Sequence, residues 1–174
     1  MLSLTRTPSV EERGTTSREV IVSTTEATVI EESAQKTLRW LDELAEELGR
    51  PGDQKYALRV LRGFLHTLRD RLPVPETAHL GAQLPEFLRG IFYEGWRPTT
   101  QPSRYHDLET FLDRVAERGL LAGATEAAYG AEASARVLRA HVGVGELDKV
   151  RSVLPREIVA LLSGETEGGR HADA

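Results

Sequence analysis

The sequence predicts an all-α protein made of two pseudo-equivalent helical halves packed into one bundle-like domain. Three observations carry that expectation. Apolar residues recur at helical spacing from Ser33 onward, no segment alternates convincingly as a core strand does, and the Leu-Pro corner at Leu84-Pro85 recurs in a matching context at Leu154-Pro155.

A first helix starts at Ser33 and carries Leu38, Leu41, Leu44, Ala45 and Leu48 on one stripe before Gly49 and Pro51 stop it. Asp53 is placed to cap a second helix, in which Ala57, Leu61, Phe64, Leu65, Leu68 and Leu72 form a broad apolar face that ends at Pro73. Pro75 and Glu76 suit the first turn of a third helix through Leu84. Pro85 then opens a fourth with Leu88, Ile91 and Phe92, because proline is tolerated where its missing N–H has no intrahelical partner. After the loop "EGWRPTTQPSR", a fifth helix carries Leu108, Phe111, Leu112, Val115 and Ala116. Thr125 is read as the cap of an alanine-rich sixth helix through Leu138, and "GELDKVRSVLPREIVALL" reads as two short helices more. The glycines of "GVGELDKV" follow a helix and lack the strand and lysine of a phosphate loop, so they read as a helix-to-helix turn.

The two corners anchor an internal repeat. "WLDELAE" at 40–46 matches "FLDRVAE" at 111–117, "YALRVLR" at 56–62 matches "ASARVLR" at 133–139, and the corners match each other, at offsets of 71, 77 and 70 residues. The expectation is a direct repeat of about 70 residues, with repeat one at about 33–96 and repeat two at about 104–163. Residues 1–32, rich in Ser, Thr, Glu and Arg, are expected to be a disordered arm, and 164–174 a flexible tail.

Composition narrows the function classes. A chain of 174 residues with 40% apolar content is long enough to bury one core, and the absence of cysteine removes thiolate chemistry and suits a reducing, cytoplasmic setting. No stretch has the length and apolarity of a membrane span. The net charge of −5 gives no overall attraction to nucleic acid, so binding to DNA needs a protruding basic patch. The serines lack a G-x-S-x-G context, and no catalytic residues or cofactor are expected.

The stretch "LRVLRGFLHTLRDRLPVPETAHLGAQLPEFLRGIFYEGWRPTTQPSR", with "FLDRV" and "GELDKVRSVLP" after it, closely resembles the bacterial domain of unknown function family numbered 2267, over about residues 33–162. The resemblance implies an all-helical, intracellular bacterial protein. It supplies no activity, catalytic residue or cofactor.

Two features stand out as candidate contact surfaces. Lys55, Arg59, Arg62, His66 and Arg69 recur at steps of four and three, within about 80° of one another on a helical wheel and opposite the leucine face. That stripe is either a solvated face paired with Glu43, Glu46 and Glu47, or a grip for an acidic partner. "YEGWRP" sets Tyr93, Trp96 and Arg97 around Gly95, a natural left-handed cap, either lining a partner surface or folding back over the core. Glu76 and His79 form a single E-x-x-H pair, a weak metal candidate without the second pair that a di-iron bundle uses, and His106 and Glu109 run in the opposite order. The expected function is protein–protein interaction by a regulatory or stress-associated accessory factor with an unknown, acidic partner, self-association being open to it. The alternative is a small-molecule or metal-binding protein, or an enzyme, with a pocket between the halves near Glu76, His79, Tyr93, Trp96 and His106.

Overall fold

The computed structural model describes residues 16–165, with side chains described from residue 27. Among them are α1 (Thr16–Glu47), α2 (Gln54–Arg71), α3 (Val74–Gln83), α4 (Glu86–Tyr93), α5 (Leu108–Gly119), α6 (Ala124–His141), α7 (Val144–Ser152) and α8 (Arg156–Ser163), with a 3-10 turn at Pro98–Thr100 and no strand. The chain divides into two units, residues 1–32 and 33–174.

In the first unit the backbone is helical from Thr16, which corrects the expected disordered arm over residues 16–32. The physical reason is the lack of a breaker. No glycine or proline occurs between Gly14 and Gly49, and once a helix is nucleated each further residue adds a hydrogen bond. The rest of the arm, 1–15, and the tail beyond residue 165 lie outside the described residues.

In the second unit the punctuation works largely as expected. Asp53 Oδ1 accepts the Tyr56 N–H at 3.0 Å and caps α2. Pro85 and Pro155 are the N-caps of α4 and α8, with nearly the same backbone angles, φ −52°, ψ 146° and φ −57°, ψ 147°. Thr125 is not a cap: α6 begins at Ala124 behind Gly123, with no side-chain cap. Glu126 in that first turn reaches back instead, accepting the Ala122 N–H at 2.5 Å. Leu38 is also displaced from the expected stripe. It faces solvent, and Trp40 takes a core position.

The core is organised around α2, which packs on α4, α5 and α6; α6 also carries α8, and α3 meets α7. Close approach is possible because small residues line the crossings. A Cβ on Gly63 of α2 would stand 2.7 Å from both the Gly119 nitrogen and the Val115 carbonyl oxygen of α5. A Cβ on Gly130 of α6 would stand 2.7 Å from Cγ1 of Val60 on α2. Phe64 and Phe111 complete the α2–α5 contact edge to face, with ring centroids 6.3 Å apart. One expected match can be placed against the helix bounds. Gln54 and Ala124 open two helices of 18 residues each, so "YALRVLR" and "ASARVLR" occupy turns seven residues out of step. Seven residues is about two helical turns, so both stretches present the same apolar face.

Candidate functional site

The basic stripe of α2 is not one surface. Lys55 and Arg59 are exposed and Arg62 is half-buried, with an ion pair of 3.1 Å to Glu94. Farther along, the stripe enters the protein: Arg69 is 3% exposed. Its Nη1 donates to the carbonyls of Phe92 at 2.5 Å and Glu94 at 2.9 Å, while its Nε donates to Asp70 at 2.8 Å. His66 Nε2 meets the Ile91 carbonyl at 2.6 Å. These carbonyls lie at the end of a helix, where partners of the regular ladder run out, although that of Ile91 also accepts the Glu94 N–H at 3.1 Å; the lower stripe thus fastens the C-terminus of α4. The expected pairing with helix one is also corrected. Glu47 pairs with Arg136 and Glu43 with His141, both on α6.

His66 links this clamp to pH. Burial pushes its pKa below the ordinary histidine value, against the Ile91 carbonyl, and the neighbouring Arg69 and Arg118 charges push the same way. The neutral imidazole, with its proton on Nε2, is the form that fits. Because the folded value lies below the unfolded one of about 6.5, this contribution is full above that pH and is lost as pH falls through the folded value. Denaturant titrations from about pH 7.5 down to about pH 5 are expected to show a fall in stability that His66→Gln flattens; an unchanged slope in the variant would assign the fall to other groups.

In "YEGWRP" both aromatic residues fold back. The Tyr93 ring packs on Phe92 and Trp96, each with centroids 5.2 Å away. Its hydroxyl occupies space above Gly81 of α3 that any Cβ there would fill. Gly95 follows the α4 C-cap Glu94 with φ of 65°, the left-handed conformation expected of it, and Arg97 is exposed. The alternative pocket is not assembled as expected. His79 is exposed and sits in the field of Glu146 on α7, Tyr93 and Trp96 stack on each other, and His106 contacts Arg71. Among the described residues, no three His, Asp or Glu side chains gather in a way that could hold a metal.

A different site is formed where α1 faces the α3–α4 corner. A cleft of about 400 Å³ is lined by Lys36, Arg39, Trp40, Leu84, Pro85 and Arg89, with Glu86 and His141 at its sides. Trp40 is buried and stacks under the His141 ring, centroids 4.7 Å apart. Arg89 is positioned by its own work as a helix cap: Nε donates to Gly81 O at 2.8 Å and Nη2 to Leu84 O at 3.0 Å. Glu86, the acid of the cleft, accepts a hydrogen bond from the Ser33 side chain, which with the nearby Arg89 and Lys36 holds its carboxyl below the usual range. Lys36 and Arg39 make no ion pair among the described residues. The sequence signal for this site was the pair Lys36 and Arg39 beside Trp40; the rest comes from remote segments.

Residues 37–161 match the model of a family described as an uncharacterized conserved protein, DUF2267. No curated protein matches the chain.

Proposed function

The chain belongs to the DUF2267 family, and from its own surface we propose that it is a non-enzymatic interaction protein of the bacterial cytoplasm, an accessory factor that docks an acidic segment of a partner protein. The observation that carries this reading is the charge of the α1/α3–α4 cleft. Lys36, Arg39 and Arg89 surround an apolar floor, against one carboxylate that Ser33 already engages. Its volume of about 400 Å³ suits a few side chains rather than a large cofactor. Glutamates of an incoming segment meet the two unpaired cations, and an apolar residue between them covers Leu84 and Pro85. The exposed Lys55 and Arg59 extend the same sign of charge elsewhere on the unit and contribute attraction at longer range.

The test uses the chain's two tryptophans. With Trp96→Phe, Trp40 beneath the cleft is the sole tryptophan reporter. A glutamate-rich peptide with interspersed leucines is expected to change its fluorescence saturably, and Lys36→Glu with Arg39→Glu to weaken binding at least about tenfold, which is about 1.4 kcal/mol. Equal binding by the reversed variant, or no saturable change, overturns the reading.

The same proposal includes a repeat as the architecture of the second unit. Three correspondences support it, all at a spacing of seventy positions: α2 with α6, the capping Pro85 with Pro155, and α4 with α8. A fourth is chemical. Arg69 donates to the Phe92 carbonyl, and seventy residues on Arg139 donates to the Leu162 carbonyl at 2.6 Å. Each half thus fastens its last short helix with an arginine at the same place.

A further inference from the structure

Arg71 closes α2, and only 7% of it is exposed. Its Nη2 donates to Nδ1 of His106 at 3.3 Å, its guanidinium lies 5.8 Å from the centre of the Tyr105 ring, and its Nε has no hydrogen-bond partner. Arg114 of α5 lies over the same ring at 4.6 Å. Neither arginine has a carboxylate within ion-pair distance among the described residues. Asp70, the acid of this region, is already shared between Arg69 Nε at 2.8 Å and Arg118 Nη2 at 2.7 Å. Burial works to raise the Asp70 pKa, but the hydrogen bonds and charges of those two arginines outweigh it and hold the carboxyl below its usual range.

Two further donors are enclosed and unused. Arg118 Nη1 has no partner, and neither does the hydroxyl of Tyr105, a residue only 8% exposed. Burial pushes the Tyr105 phenol up to about 12 against the pull of Arg114, Arg71 and Arg118, so its proton stays in place. Two guanidinium groups, Arg69 and Arg118, therefore share the Asp70 carboxylate, while Arg71 and Arg114 lie against the Tyr105 ring without a carboxylate of their own. The negative end of α2 offsets roughly half a charge, and a buried guanidinium without a counter-charge is costly. A water molecule can satisfy the donors but not the charge.

We propose that Arg71, Arg114, Arg118 and the Tyr105 hydroxyl form a binding site for a phosphate group, at the junction of α2 with the start of α5. Guanidinium forks and a phenolic O–H match the lone pairs of a tetrahedral oxyanion. The exposed His106 and partly exposed Arg114 leave one edge open to solvent. A phosphate seated there also ties Tyr105, at the end of the connecting loop, to both helices.

Inorganic phosphate and phosphoserine are the probes, each titrated against sodium chloride at equal ionic strength and followed by phosphorus NMR line broadening and thermal unfolding. Saturable broadening and a rise in melting temperature beyond the chloride control are expected, with apparent affinity falling at least fivefold in Tyr105→Phe and in Arg114→Gln. These variants avoid Arg71, whose removal can unfold the chain. A response to inorganic phosphate assigns the free ion as ligand; a response to phosphoserine alone assigns a phosphate carried on a larger molecule. No effect beyond chloride from either probe, or an undiminished effect in both variants, overturns the site.

Discussion

Gly63→Ala is expected to lower stability by about 2 kcal/mol and the melting temperature by about 4 to 8 °C, although alanine is the better helix former. The added methyl meets backbone atoms of Gly119 and Val115 at 2.7 Å, and backbone cannot rotate out of the way as a side chain can. The two helices must separate, and Phe64 and Phe111, both fully buried beside the crossing, lose contact with it. Gly90 supplies the control. It lies inside α4 with nothing within 4 Å of where a methyl group would stand, so Gly90→Ala is expected to stabilise by about 0.5 to 1 kcal/mol through helix propensity alone. Calorimetric unfolding of the two variants checks both signs. Destabilisation of equal size at both positions would show that the α2–α5 crossing is not what limits Gly63.

Arg69→Met carries the second large effect. The substitution keeps the apolar stem and removes the guanidinium, leaving the buried carbonyl of Phe92 and the carbonyl of the exposed Glu94 without that donor. An unsatisfied buried group costs about 1 to 3 kcal/mol, so a loss of about 2 kcal/mol is expected, most of it from the Phe92 carbonyl. Asp70 keeps Arg118, which limits further damage. The loss has a local signature: amide exchange in α4 accelerates more than in α2 or α6. Arg59→Met, at the exposed end of the same stripe, is expected to change stability by no more than about 0.5 kcal/mol. Comparable losses at both positions would mean that the stripe acts through its charge and not through the α4 carbonyls.

The contrast between Arg59 and Arg69 shows where reading a sequence stops. A helical wheel gives direction around an axis, and on that measure the five basic residues are alike. It says nothing of depth along the axis. Lys55 and Arg69 are separated by about 21 Å of helix, and the end of α4 covers only the far end. The elements themselves were legible wherever backbone chemistry marks a boundary, as at Asp53, Pro85 and Gly95. They were not legible where such marks are missing: nothing in "EVIVSTTEATVIEES" announces a helix, and the start of α6 is secured by Glu126 from within instead of by Thr125. The basic cleft was hidden for a different reason. Its lining comes from residues 36–40, 82–89 and 141, brought together only by packing.

The contact of Val60 with Gly130 has an evolutionary consequence when set against the inferred repeat. These two residues are seventy positions apart, and so are Tyr56 and Glu126, which hydrogen-bond at 2.5 Å. Each residue thus touches its own counterpart, which is what happens on a twofold axis. A dimer of identical short chains must place the same residue on both sides of such an axis: two valines crowding, or two glycines leaving a hole. On the proposed repeat, two halves in one polypeptide escape that constraint, and a large residue faces a small one, and a phenol a carboxylate. On that reading, the two halves fit each other better than either would fit a copy of itself.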